Sequence, residues 1–338
     1  MGYWSLILSN DPWEEAVKKT LFATTIALAA FAFAANANAR TYIFAAGVLG
    51  HPYWTAAYQG FDYAAKKFGV EIKRAGPQDW NPPAQAAGVE ESIAKHPDGI
   101  IAVLWDASSI PPIKKAMAAG IPVVVIEANL PDSGAMTFIG LDNYQSGVTT
   151  AKEFIKVGGT TGKVVALGNW GASNTDAKFQ GFSDYLKANS KWEILGKVDD
   201  KGEANAAIEA GKSALNTYKD MTGIVGLDSD SGAGVGTAAE ELGMDISKMT
   251  IVVNDRQDAV LDFIDKGVIK ATIMNKTALE AYMAIELLEA YNDQKVGLAG
   301  VPISDDNKAA SVIPMPENVF MGAQVVDKDN VKHFLPKK

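Results

Sequence analysis

The strongest constraint on the fold is a repeated alternation of short β-rich runs and longer helical patterns. After residue 40 the chain offers the strand-like runs TYIFAAGV, VEIKRAG, GIIAVLW and IPVVVIEA, separated by helical stretches such as TAAYQGFDYAAKKFG. In that stretch Tyr58, Phe61 and Ala65 fall on one helical face. Nearly continuous apolar strands with helices between them predict a parallel sheet that is covered on both faces.

The alternation restarts after residue 142. Five further strand-like runs, GKVVALGN, WEILGKVD, GIVGLD, TIVVND and IKATIMN, again alternate with helical patterns. No long linker separates the two series, so they predict an α/β fold with two sheets that face each other.

The first 39 residues form a separate segment. Lys18 and Lys19 precede an apolar stretch, Leu21 to Ala35, and the small residues Ala37-Asn38-Ala39 follow. This order predicts an upstream extension and secretory signal peptide, with cleavage after Ala39 and an exported mature protein. A membrane anchor is the alternative, but the run is short and no basic flank follows it. Because the lysines begin so late, we expect translation to start at Val17 rather than at Met1.

Composition excludes several functions. The net charge of −9 disfavours nucleic acid as a partner, since phosphate binding needs a basic face. The chain has no cysteine and three scattered histidines, so neither a disulfide framework nor a zinc site is expected. No G-x-S-x-G motif and no nucleophile–base arrangement is present, which predicts that the protein is not an enzyme and needs no cofactor.

Ordered landmarks identify a family resemblance. HPYW follows the first strand, and AAGIPVVVIEAN, IGLDNYQSG, GFSDYL, IVVND, DKGVIKATIMN and VVDKDNVKHF follow in that order. Over residues 40–338 the chain resembles the ribose- and galactose-type periplasmic binding proteins of ABC transporters. The resemblance implies a type I periplasmic binding fold, in which two Rossmann-like lobes are joined by three crossings. The N-terminal lobe would contain 40–141 with 276–310, and the C-terminal lobe 142–275 with 311–338.

The same resemblance implies a function and partners. The protein would bind a monosaccharide, an amino sugar or a polyol between hinged lobes and deliver it to an ABC permease in the inner membrane. A monomer is expected, and a chemoreceptor is a further candidate partner. A sugar-responsive repressor, an exported sugar-acting enzyme that pairs Glu127 with Asp255, and a receptor for a non-sugar polar molecule are the alternatives.

Aromatic residues after the first strand are candidates for contacts with a sugar. A sugar presents apolar C–H faces and a girdle of hydroxyls, which rings and carboxylates can recognise. Tyr53 and Trp54 match the stacking aromatics of the family, and His51 matches its polar loop residue. Alternatively, either ring caps the core, and His51 only makes a loop hydrogen bond. Trp105 and Trp170, also at strand ends, suit a rim role or a core role equally.

Polar residues at the other strand ends match further ligand contacts of the family. These residues are Glu127, Asn143, Asp176, Asp228, Asp255 and Asn275. Asp and Asn also cap helices, and Asp142 and Asp228 are open to that interpretation. Ala128 and Asp176 stand where ribose-type pockets carry arginines. We therefore expect a pocket that is rich in carboxylates and poor in cations, with Arg256 pointing away, which favours an amine-bearing sugar or a polyol.

Overall fold

The computed structural model describes residues 39–296, 301–310, 312 and 315–335. The predicted signal segment and the alternative start sites Met1 and Val17 lie outside the described residues. None of the helices within the described residues combines the length and the apolar character that a membrane span requires.

The first sheet of the described chain has six parallel strands in the order β13-β5-β4-β3-β1-β2. These strands are β1 (Thr41–Ala45), β2 (Glu71–Ala75), β3 (Gly99–Ala102), β4 (Val123–Ile126), β5 (Thr137–Gly140) and β13 (Asn318–Phe320). The connecting helices are α1 (Thr55–Phe68), α2 (Pro82–Ile93) and α3 (Ile110–Ala118). A later helix, α9 (Thr277–Asn292), packs against α1 and completes this lobe.

The second sheet has the order β14-β10-β9-β8-β6-β7, and only its edge pair β10–β14 is antiparallel. Its strands are β6 (Thr161–Gly168), β7 (Lys191–Asp199), β8 (Gly223–Gly226), β9 (Thr250–Asn254), β10 (Ala271–Met274) and β14 (Gln324–Asp327). Its helices are α4 (Asn143–Gly158), α5 (Ser173–Asn189), α6 (Ala204–Thr217), α7 (Ser231–Leu242) and α8 (Asp258–Asp265). A short hairpin, β11 (Lys295–Val296) with β12 (Val301–Pro302), precedes the small helix α10 (Asp305–Ala309).

Alternate residues of the central strands enter cores on opposite faces of each sheet. In β3, Ile101 joins one core of the first lobe, whereas Ile100 joins the core on the other face. In β9, Val253 and Val252 divide in the same way between two cores of the second lobe. A strand alternates sides with a period of two, so burial on both faces makes the whole strand apolar. The predicted α/β fold with two parallel-dominated lobes is confirmed.

Within the residues that the structure describes, the chain passes between the sheets three times. The first passage lies at 141–142, between β5 and α4, and the second at 275–276, between β10 and α9. The predicted third boundary, with 276–310 in the first lobe and 311–338 in the second, is wrong. β13 pairs in parallel with β5 through Val319 and Ile139, and the Phe320 ring packs 6.4 Å from Phe138. This apolar edge holds residues 318–320 in the first lobe, so the chain crosses at 321–323.

Two glycines allow helices α4 and α5 to touch backbone to backbone. A Cβ on Gly147 would lie 1.9 Å from the Lys178 carbonyl oxygen, and one on Gly181 would lie 2.0 Å from the Tyr144 carbonyl oxygen. No other residue type fits such an approach. The two glycines therefore fix the depth and rotation of α5, and with them the position of the Lys178 side chain.

Candidate functional site

A cavity lies between the lobes, where the carboxyl ends of both sets of strands meet. It encloses about 500 Å³ of space not filled by protein atoms, part of it open to solvent. Six of the predicted site residues line it: His51, Tyr53, Trp54, Glu127, Asp228 and Asp255. Parallel sheets commonly place ligands at this edge, because the loops that follow the strands converge there.

Glu127 and Asp255 occupy equivalent places in the two lobes. Glu127 directly follows β4, and Asp255 directly follows β9. Both residues are buried, and both have a φ of +66°, in the left-handed region that non-glycine residues rarely adopt. Strained backbone of this kind concentrates at binding and catalytic sites, where the surrounding structure holds it. The two sheets thus aim matching carboxylates into one cavity.

The Glu127 side chain accepts hydrogen bonds from residues in several parts of the chain. Oε2 accepts a hydrogen bond from the Tyr53 hydroxyl and another from Asn275 Nδ2 at 2.7 Å. Oε1 accepts a hydrogen bond from Asn174 Nδ2, on α5 of the second lobe, at 3.2 Å. Glu127 therefore links the first lobe, the second lobe and the second crossing.

Two predicted residues lie beside the cavity rather than on its wall. Asn275 donates to Glu127 Oε2 and lines an adjoining groove between the lobes. Asn143 donates from Nδ2 to the backbone carbonyl of Glu127 at 3.3 Å. Both amides thus hold Glu127 in place, while Asp142 caps α4 by accepting from the Gln145 N–H at 3.0 Å.

The aromatic residues divide between the core and the cavity. Trp54 is fully buried in the first-lobe core, with its ring 5.0 Å from Phe44, yet part of it reaches the cavity. Tyr53 binds Glu127 through its hydroxyl. Trp105 also lines the cavity, whereas Trp170 packs on Phe179 and donates to a β7 carbonyl.

Asp176, which was predicted to contact the ligand, does not line the cavity. Asp176 is exposed on α5, whereas Asn174, Thr175 and Lys178 of the same helix line the cavity. Two positions along an α-helix correspond to a rotation of about 200° around the helix axis, so the side chains of Asp176 and Lys178 point to opposite sides of α5. Lys178 supplies the cation at this place.

The prediction of a pocket that is poor in cations is wrong, because Lys178 lines the cavity. Its side chain is 2% exposed and acts on Asp255 and on Glu280, a buried carboxyl on α9. Burial raises the pKa of Asp255 to about 7, with Lys178 opposing the shift and Glu127 adding to it. Burial and Glu127 raise the pKa of Glu280 well above its usual range. Arg256 is exposed outside this cavity, so Lys178 is the cation that offsets these acids.

His51 joins the two lobes directly. Its Nε2 lies 3.0 Å from Asp230 Oδ2, and Gln257 Nε2 donates to Oδ1 of the same carboxylate at 2.9 Å. Burial lowers the pKa of His51, but the hydrogen bond and the charge of Asp230 outweigh burial and raise it overall. The Ser173 hydroxyl adds a further contact between the lobes by donating to the Leu104 carbonyl at 2.7 Å.

We expect His51→Gln to open the ligand-free protein. A histidine whose pKa is raised in the closed form stabilises that form fully below its ordinary pKa, about 6.5, and the stabilisation is lost as pH rises through the raised value. Small-angle X-ray scattering at pH 6 should therefore give a larger radius of gyration for the variant. The radius of gyration of the wild type should increase towards that of the variant as the pH rises. His333→Gln, at an exposed position, is the control. Identical scattering from all three proteins would contradict the expectation.

Sequence reasoning missed several residues of the site. Trp80, Asn169, Asn174, Lys178, Ser229 and Asp230 line the cavity in addition to the predicted residues. Asn174 and Lys178 are separated by four positions on one helix, a spacing that points both to one side. Asp230 belongs to the DSDSG run and stands two residues after the predicted Asp228. These spacings were visible, but the face of each element that meets the other lobe was not.

Comparison with known proteins agrees with this architecture. Residues 42–295 match the periplasmic binding protein domain family. A D-apiose import binding protein of Paraburkholderia graminis is 26% identical over 220 residues, which cover 63% of this chain and 68% of that protein. The ribose import binding protein of Bacillus subtilis is 24% identical over 240 residues, covering 70% and 77%. The structure of an arabinose-binding protein from Geobacillus stearothermophilus has a TM-score of 0.72 and 28% identity, over 88% of this chain and all of that one. The chain therefore belongs to the periplasmic binding protein family.

Proposed function

We propose that the protein is the sugar-binding receptor of an ABC importer, with a pentose-sized monosaccharide as its ligand. The observation that carries this proposal is the cavity between the lobes, into which Glu127 and Asp255 project from equivalent strand ends beside aromatic rings. Carboxylates accept hydrogen bonds from hydroxyls, and rings cover C–H faces. The relatives named for D-apiose, ribose and arabinose support a five-carbon sugar.

The chemistry of the cavity also ranks the other ligands. Lys178 neutralises part of the acidic charge, so the electrostatic argument for an amine-bearing sugar is weakened. A polyol offers the same hydroxyls without a ring. Binding would occur by hinge closure: the ligand contacts both lobes at once and so stabilises the closed form more than the open form.

The partners and the location follow from this role. We propose that cleavage near Ala39 releases a monomer into the periplasm, where its closed form meets an inner-membrane permease; a chemoreceptor is a second candidate partner. The relatives that the chain matches are named as binding proteins. Binding without turnover is therefore the proposed activity, and a sugar-acting enzyme or a receptor for another polar molecule is the alternative.

Titration calorimetry and thermal shift with D-apiose, D-ribose and L-arabinose test the proposal, with amino sugars and polyols in the same panel. A ligand at about 1,000 times its dissociation constant should add about 4 kcal/mol of stability, enough for a clear rise in Tm. One molecule should bind per chain and be recovered unchanged. Product formation would support the enzyme, and no shift with any compound would overturn the sugar assignment.

A pair of aspartates offers a matched test of the site. We expect Asp228→Asn to lower the affinity for the best sugar about tenfold or more, since hydrogen bonds to charged groups contribute about 1.5–3 kcal/mol. Asp176→Asn should leave affinity unchanged, because Asp176 is exposed away from the cavity. Equal effects of the two substitutions would place the ligand elsewhere.

A further inference from the structure

Two buried aspartates of the second lobe share a single serine hydroxyl. Ser231 Oγ lies 2.6 Å from Asp200 Oδ2 and 2.5 Å from Asp228 Oδ1. Asp200 follows β7 and is fully buried, and Asp228 follows β8 and lines the cavity. The three side chains therefore form a hydrogen-bonded network that ends at the proposed sugar site.

The two contacts of Ser231 require one proton more than the serine hydroxyl and two ionised aspartates would supply. A serine hydroxyl has one hydrogen to donate, and ionised carboxylates can only accept. If both aspartates were ionised, one of the two oxygen–oxygen contacts of Ser231 would contain no hydrogen. Two buried oxygens at 2.6 Å without a hydrogen between them repel each other, so one of the carboxyl groups carries a proton.

The remaining contacts assign that proton to Asp200. Asp228 Oδ1 already accepts the backbone N–H groups of Asp230 at 3.2 Å and of Ser231 at 3.0 Å, so this oxygen acts as an acceptor and carries no hydrogen of its own. Asp200 receives one backbone N–H, from Gly202 at 3.2 Å, and this goes to its other oxygen, Oδ1. The Asp200 hydroxyl therefore donates to Ser231 Oγ, and Ser231 donates to Asp228.

The charged surroundings agree with a neutral Asp200. Asp228 is the acidic group that faces it from the loop before α7, while Asp199 and Lys201, beside it on its own loop, are exposed. His51 of the first lobe acts on Asp228 and pairs with Asp230. Burial and the neighbouring Asp228 raise the pKa of Asp200 to about 9.

We propose that Asp200 is a proton-carrying positioning residue, which acts through Ser231 to hold Asp228 ionised and aimed at the ligand. Asp228 lines the cavity, and its Oδ2 accepts no hydrogen bond from the donor groups of the described residues. A ligand group that contacts this carboxylate must supply a hydroxyl or ammonium hydrogen. A ligand group that can only accept, such as a carboxylate or a phosphate, is excluded there. This inference rests on the proposed function for the identity of the ligand, but not for the proton.

The proton is tested first in the ligand-free protein. Carbon-13 NMR of the aspartate carboxyl groups from pH 5 to 10 should show Asp255 titrating at its pKa of about 7, and one further buried group that is still neutral at pH 8 and titrates near the pKa of about 9 given above. That signal should be missing in Asp200→Asn and retained in Asp199→Asn. A spectrum in which every aspartate is ionised at pH 8 would overturn the inference, whether or not any sugar binds.

The positioning role is tested with the sugar of the panel that binds best. Asp200→Ala should weaken its binding at least tenfold at pH 7, and Asp200→Asn, whose amide can donate to Ser231, should recover most of that loss. Between pH 8 and 10 wild-type affinity should fall about tenfold as Asp200 ionises, and the fall should be missing in Asp200→Asn. The proposed role of Asp200 is wrong if Asp200→Asn binds the sugar as weakly as Asp200→Ala does. It is also wrong if the affinity of Asp200→Asn still falls between pH 8 and 10. If no sugar binds, the proposed function fails and the NMR result still decides the proton.

Discussion

Replacing Lys178 with methionine is expected to remove about 3 kcal/mol or more from the free energy of unfolding, because truncating one member of a buried charge cluster leaves the others uncompensated. The side chain is 2% exposed and acts on Asp255 and Glu280. Methionine nearly preserves the volume, so the loss reports charge rather than a cavity. Affinity for the sugar should fall about 100-fold, since the same cation faces the ligand.

The pH dependence separates charge from packing. An aspartate whose folded pKa is raised, as burial raises that of Asp255 to about 7, favours the folded state at low pH. That contribution disappears as pH rises through the folded pKa, and without Lys178 the pKa is higher still. The deficit of Lys178→Met should therefore be largest near pH 8 and shrink near pH 5.

Urea denaturation at pH 5 and pH 8 measures this difference. Lys187→Met, at an exposed position of the same helix, is the matched control and should change little at either pH. A deficit that is independent of pH would mean that Lys178 contributes only packing.

Replacing Glu127 with glutamine is expected to lower sugar affinity about 100-fold, which corresponds to about 2.7 kcal/mol. Glu127 accepts hydrogen bonds from Tyr53, Asn174 and Asn275. A glutamine offers one acceptor oxygen and one amide nitrogen, so at least one of these donors would face another donor. The partners come from both lobes and from the second crossing, and the substitution should therefore weaken the closed form itself.

Calorimetry and small-angle scattering together test this second prediction. The variant should bind weakly and should close less completely when the sugar is saturating. Glu91→Gln, at an exposed position of α2 in the first lobe, is the control. Normal closure with weak binding would limit Glu127 to a direct ligand contact and contradict its role as a link between the lobes.

The periodic pattern was sufficient to predict the two sheets and part of the site. Short continuous apolar runs rich in β-branched residues, such as IPVVVIE and TIVVND, favour strands that are buried on both faces. The polar residues that follow these strands, Glu127 and Asp255, must then lie at the edge where loops converge. The sequence was therefore sufficient to predict that both residues lie at the cavity. It was not sufficient to predict their left-handed backbone conformation.

The edge of the first sheet could not be read in the same way. β13 is only three residues long, and nothing in NVF states which sheet it joins. Its partner β5 lies about 180 residues earlier, at Phe138 to Gly140. A short strand is assigned by the apolar edge that it covers, which exists only after the lobe has folded.

Asp176 and Lys178 show the same limit at the binding site. The sequence identified the correct helix, but a change of two positions turns a side chain by about 200° and so moves it from the cavity to solvent. Only the close contact of Gly147 and Gly181 with the neighbouring helix fixes that rotation.

The sequence by itself therefore determined the local periodicity, the order of strands and helices, and the strand ends that line the cavity. The tertiary structure decided the helix faces and the contacts between lobes, as in the pairing of His51 with Asp230 across 179 residues and the sharing of Ser231 by two aspartates. The physical reason is that periodicity follows from backbone geometry within one element. Charge pairing and shared protons instead depend on distances of a few ångströms between elements that are far apart in the chain.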